Sequence, residues 1–139
     1  MSSKKEKSAM IYNKICKEID NELMDKFGCI RCSSCGKLLV NGFGQSVTSW
    51  GHSHNLPRGR FPEYELDKDN ISPRCQNFNG EKGCHEKLDS CDFSAISKFM
   101  DLKKIMEYRK NKNLTEYNKF VSGLLNVGCK LFKYENNSR

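Results

Sequence analysis

The chain has 139 residues, 37% of them hydrophobic and 29% charged, and a net charge of +7. That length suits one compact unit with appendages. No apolar run approaches a membrane span and no signal-peptide pattern opens the chain, so the expectation is no membrane partner and a cytoplasmic location.

Residues 1–28 read as a polar tail and an amphipathic helix. Over 9–27, Ile11, Ile15, Ile19, Leu23 and Phe27 step by four, Tyr12 and Cys16 widen the stripe, and Gly28 stops it. Cysteines follow at 29, 32 and 35, and Asn41-Gly42 marks a turn. Ser46 to Trp50 predicts a short strand. A loop with Pro57, Gly59 and Pro62 leads to a second strand expected near Tyr64–Ile71. Beyond residue 93 the pattern is helical. Ser94 caps a helix bearing Ile96, Phe99, Leu102 and Met106; Asn111-Lys112-Asn113 breaks it; Tyr117, Phe120, Val121 and Leu124 mark another, ending near Gly128.

Charge is unevenly spread. Residues 29–92 carry eight Lys/Arg and eight acids, whereas 93–139 carry ten Lys/Arg and four acids. The basic excess predicts a polyanionic partner gripped by the C-terminal region, with Lys103, Lys104, Arg109 and Lys110 as contacts. Lysine-rich helices that are simply well solvated are the plainer alternative.

The chain holds eight cysteines. Without a secretory signal, CxxC spacing favours metal over disulfides. Cys32-Ser33-Ser34-Cys35-Gly36-Lys37 is a knuckle whose turn brings two thiolates to one side, and the glycine lets backbone N–H groups face the sulfurs. Cys29/Cys32 is a competing register. Cys75 and Cys84 suit a second half-site for structural Zn²⁺, with Cys91 or His85 as alternatives to Cys84. Cys16 and Cys129 fall in helical patterns and read as core thiols. The module lacks apolar residues for a large core of its own, so metal is expected to hold it folded.

The three histidines are His52, His54 and His85. Gly51-His52-Ser53-His54-Asn55-Leu56-Pro57-Arg58-Gly59, then Asn70-Ile71-Ser72-Pro73-Arg74-Cys75 and Asn79, resembles the HNH nucleases, and among them the phage NinG (Rap) recombination endonucleases. That family follows a CxxCG knuckle with a histidine, Arg-Gly four and five residues later, an asparagine at sixteen, a cysteine five further on and another asparagine four beyond; here the series runs His54, Arg58-Gly59, Asn70, Cys75, Asn79. The match covers residues 32–85. It departs at Phe78, which stands where the family has a second cysteine, and at His85, where the family has an asparagine.

The resemblance implies an α+β protein: a small zinc-stabilised ββα-metal module at 29–92, flanked by the helices of 1–28 and 93–139. It implies a metal-dependent endonuclease that hydrolyses DNA phosphodiester bonds, branched DNA in particular, acts as a homodimer, and works in the host cytoplasm if phage-encoded. His54 is then the general base, because histidine titrates near neutral pH. Asn70 holds the hairpin loop and orients His54. His52, Asn79 and His85 are the expected ligands of a catalytic Mg²⁺ or Mn²⁺, and Arg58, Arg60 and Arg74 the phosphate contacts. The competing readings are a non-catalytic, zinc-finger-like DNA-binding protein and a purely structural zinc domain.

Overall fold

The structure is a computed structural model, and it describes residues 3–130; residues 1–2 and 131–139, the latter ending the basic C-terminal region, lie outside the described residues. Helix α1 spans Lys4–Phe27, starting a turn earlier than the apolar stripe predicts. A capping box accounts for the difference. The Glu6 N–H donates to Ser3 Oγ at 3.1 Å and the Ser3 N–H to Glu6 Oε2 at 3.2 Å, satisfying otherwise orphaned donors. Gly28, at φ 72°, ends α1 in the left-handed conformation that glycine adopts freely.

Two antiparallel hairpins follow. Strands β1 (Ile30–Arg31) and β2 (Leu38–Val40) frame the knuckle. Strands β3 (Trp50–His54) and β4 (Ile71–Cys75) pair from Trp50↔Cys75 to His54↔Ile71. Both strands of the second hairpin lie later than the sequence pattern suggests. Residues 46–49 are held back against β2, because the Val47 N–H donates to Leu39 O and Ser46 bridges Val40. Residues 62–70 close into two 3₁₀ turns, Pro62–Tyr64 and Lys68–Asn70, the second capped by Asp67 Oδ1 on the Asp69 N–H. Proline at the first position and a local Asx cap outcompete extended backbone there.

The chain then forms α2 (Cys84–Asp89), α3 (Phe93–Ile96), α4 (Leu102–Lys112) and α5 (Leu114–Asn126). Asn113 serves both long helices: its N–H caps Arg109 O, and its Oδ1 accepts the Glu116 N–H. The described chain is therefore α+β, with five helices and two small antiparallel sheets.

The apolar core explains how so small a hairpin unit folds. One cluster joins Ile30, Leu39 and Val40 of the knuckle hairpin to Leu88, Ile96, Leu102, Ile105, Phe120 and Leu124. Helices α3–α5 thus supply the core that residues 29–92 lack. A second, smaller cluster of Cys16, Ile19 and Ile71 seats α1 on the β3–β4 hairpin.

Arg74 sits between these layers with no solvent exposure. Its guanidinium donates to Ser34 Oγ (2.8 Å), Ser53 Oγ (3.1 Å), Asn55 Oδ1 (2.8 Å) and Asp101 Oδ2 (2.6 Å). It therefore ties the knuckle, both strands and the start of α4 together. A buried ion pair is costly to break from one side, because the remaining charge keeps its desolvation penalty. Arg74→Leu is expected to lower stability by about 3–5 kcal/mol in urea unfolding, through the stranded Asp101 carboxylate. Arg74→Leu combined with Asp101→Leu should lose less than that; equal losses would show that the ion pair is not the source.

Candidate metal centre and the histidine face

The knuckle turn brings Cys32 and Cys35 to one side, and Gly36 (φ 79°) lets its N–H close on Cys32 O at 2.9 Å. Cys75 ends β4 and Cys84 begins α2. Gly83 makes that approach feasible, since a Cβ there would lie 2.4 Å from Cys75 O. The outcome is four sulfurs, of Cys32, Cys35, Cys75 and Cys84, within 4.8 Å of one another. Tetrahedral zinc at ~2.3 Å from each thiolate requires sulfur–sulfur distances of about 3.8 Å. Cys35 Sγ and Cys75 Sγ are 3.8 Å apart. The cluster thus fits a structural zinc ion, and among the described residues no other group of His, Cys, Asp and Glu gathers this way.

The surroundings favour thiolate at Cys32, while burial pushes Cys35 upward. The Cys75 N–H donates to Cys32 Sγ at 3.5 Å and the Cys84 N–H to Cys75 Sγ at 3.3 Å. Cys32 is held down to about 4, first by the Cys84 thiol and then by backbone N–H groups, against the opposing effect of burial. The same contact pushes Cys84, its donor, upward. Cys91 is exposed and outside the cluster, and Cys29 is half-buried and also outside.

His54 lies at the end of β3, 6% exposed. Its Nε2 is 3.0 Å from Glu65 O. A carbonyl only accepts, so Nε2 carries the proton in the neutral ring and Nδ1 keeps its lone pair. Burial, foremost, lowers the pKa of His54; the hydrogen bond to Glu65 O opposes it. Asn70 locks the loop behind this ring. Its Oδ1 accepts the Leu56 N–H at 2.7 Å, and its Nδ2 donates to Leu56 O and Tyr64 O, each at 3.1 Å.

His52, Asn79 and His85 are not brought together, which corrects the cation site expected from sequence. His52 Nε2 pairs with Asp20 of α1 at 2.8 Å. His85 Nε2 pairs with Asp89 at 3.2 Å, while its Nδ1 faces the position of a Cβ on Gly51, 3.8 Å away. Side chains alternate along a strand, so the Gly51 side of β3 is opposite the His52 and His54 side. Asn79 (φ 50°) and Gly80 (φ 80°) form an exposed turn closed by the Phe78–Glu81 bridge. Its glycine partner and positive φ give Asn79 a turn role.

Two expected phosphate contacts are also corrected. Arg74 is buried in the network above. Arg109, 5% exposed, donates to Asn55 O at 2.9 Å and lies 4.5 Å from the Phe120 ring centroid. Arg74 is spent on hydroxyl, amide and carboxylate oxygens, and Arg109 on a backbone carbonyl and a ring, all inside the protein. Arg58, Arg60, Lys103, Lys104 and Lys110 remain exposed. Sequence reasoning missed Tyr12, Asp20 and Asp89. Tyr12, Cys16 and Asp20 step by four along α1, and His85 and Asp89 are also four apart on α2, which is the signal that could have paired them.

The chain matches no known protein family, curated protein or solved structure.

Two outcomes follow for this centre. The purified protein should contain one zinc per chain; Cys75→Ser or Cys84→Ser should lose the metal and most far-UV CD signal, whereas Cys91→Ser should keep both. Loss of structural zinc removes on the order of 10 kcal/mol of apparent binding free energy. For pH, the lowered His54 pKa means that the unfolded chain binds more protons than the folded one below the ordinary histidine value of about 6.5. The His54 contribution is complete above that value and is lost as pH falls towards the folded pKa. The drop in melting temperature from pH 7.5 to pH 5 should be smaller in His54→Gln than in the wild type, the remaining drop belonging to the thiolates.

Proposed function

We propose that the chain is a metal-dependent HNH-type endonuclease that hydrolyses DNA phosphodiester bonds, with His54 as general base. The observation that carries this reading is the His54 ring: Nε2–H is tied to the Glu65 carbonyl, which leaves Nδ1 to take a proton from water. Its lowered pKa keeps the ring neutral at neutral pH, so the Nδ1 lone pair is free to accept a proton. Asn70 supports the assignment by pinning the loop that carries the Glu65 carbonyl. The β3–β4 hairpin followed by α2 supplies the ββα order that such nucleases use.

Phosphodiester hydrolysis of this kind uses a divalent cation to stabilise charge on the phosphate and the leaving oxygen. His52, Asn79 and His85 lie too far apart in direction to share one. A cation serving His54 has to sit on the His52–His54 side of β3, where Asp20 pairs with His52, rather than beside His85 and Asp89 on the Gly51 side. Arg58 and Arg60 are exposed beside the loop after β3 and suit phosphate contacts.

A second reading is a zinc-stabilised DNA-binding protein without catalysis, acting through the basic surface alone. Burial of His54 beneath Tyr12, at a ring separation of 5.7 Å, favours it. The two separate on supercoiled plasmid and a synthetic four-way junction with added Mg²⁺ or Mn²⁺. The nuclease reading expects nicking that His54→Ala slows by about 10²–10⁴ while zinc content is retained. Cutting that survives His54→Ala overturns it. Binding without cutting, weakening steeply with salt, favours the second reading.

A further inference from the structure

Helix α1 engages both histidines of β3. The Tyr12 ring stacks on His54 with 17° between planes, and its hydroxyl donates to His52 O at 3.3 Å. Asp20 takes the Nε2–H of His52. Just beyond, Lys68 pairs with Glu22 and, at 3.9 Å, with Glu18. The Arg58 guanidinium lies 5.7 Å from the Tyr12 ring centroid. So α1 offers carboxylates to His52 and Lys68 and an aromatic face to His54 and Arg58. A nucleic-acid strand presents the same two chemistries, anions for the cations and flat rings for stacking.

The attachment is light. Of the α1 residues only Cys16 and Ile19 are buried. Leu23 and Met24 pack on the main core, but Tyr12, Ile15, Cys16 and Ile19 belong to the small separate cluster with Ile71. From Leu23 on, α1 is therefore anchored, while the part from Lys4 to Glu22 rests on the β3–β4 hairpin through that small cluster and on the ion pairs of Lys68. Exposed ion pairs such as those of Lys68 contribute little and are screened by salt.

We propose that α1 is a strand-mimicking cover over the nucleic-acid-binding face formed by His52, His54, Arg58 and Lys68. Glu18, Asp20 and Glu22 stand where phosphates bind, and Tyr12 stands where a base stacks. An incoming strand displaces the helix from Lys4 to Glu22 and gains access to His54 and Lys68. The inference rests on the reading of this chain as one that acts on nucleic acid.

The test compares full-length Asp20→Asn/Glu22→Gln with the charge-matched control Asp25→Asn/Glu81→Gln, both checked for wild-type zinc content. The probe is a fluorescent oligothymidylate, without added divalent cation. Removing the mimic should tighten binding about tenfold beyond the control at fixed salt. Acylation of His54 by diethyl pyrocarbonate, followed by mass spectrometry, should also quicken in that variant and in Tyr12→Ala, although neither Asp20 nor Glu22 touches His54. Binding no tighter than in the control, or His54 reactivity unchanged from wild type, overturns the cover. His54 reactivity does not depend on DNA being cut, so failure of the cover and failure of the nuclease reading are told apart.

Discussion

Four sulfurs have to meet within 4.8 Å, and they come from a turn, the end of a strand and the start of a helix. That convergence sets the geometry of everything around it. Joining Cys35 to Cys75 closes a long loop that contains the whole of β3 and the turns after it, a step that costs chain entropy unless something strong rewards it. Four thiolates on one zinc ion would supply that reward. Because Cys75 is the last residue of β4, the same centre fixes the register of the hairpin. Because Cys84 is the first residue of α2, it fixes where the helix begins.

Arg74 extends this constraint into the rest of the fold. It stands next to Cys75 and spends its guanidinium on Ser34 of the knuckle, Ser53 and Asn55 at the end of β3, and Asp101 before α4. Asn55 in turn gives its carbonyl to Arg109 of α4. The loop that carries the histidine environment is therefore gripped from behind by the C-terminal helices, with Tyr64 donating to Lys112 O and Tyr108 to Asp67. Rigid support of this kind is what a positioned base requires. The opposite side of the hairpin is softer: α1 rests there on a few apolar contacts and exposed ion pairs. The histidines thus lie between a fixed wall and a lightly held helix.

Function follows from this asymmetry as a proposal with two parts. The His54 tautomer, set by a backbone carbonyl, is what a general base needs. Its burial under Tyr12 is what a resting base needs if access is to be controlled. The basic surplus contributes less directly than the charge count suggests, since Arg74 and Arg109 hold the fold together and leave the exposed side chains to meet a polyanion.

Much of this was legible in the residues themselves. The CxxCGK spacing identified the knuckle, because a two-residue gap and a glycine leave few other ways to place two thiolates. The four-residue steps identified α1, and the apolar spacing of Tyr117, Phe120, Val121 and Leu124 identified α5, because helix period is a local property. Asn113 was readable as a break for the same reason. The single helix expected from Ser94 to Met106 is instead two, α3 capped by Asp92 and α4 starting at Leu102. Directions were not legible. The strands were displaced by backbone pairing of residues 46–47 with β2 and by an Asx cap in the loop, both of which compete locally with the expected strands. Arg74 and Lys103 look alike in a charge count, yet only packing decides that one is sealed inside and the other faces water. His52 and His85 are both good ligands by chemistry. Strand alternation and the starting point of α2 sent them to opposite sides, because a side chain's direction depends on the whole fold while its identity does not.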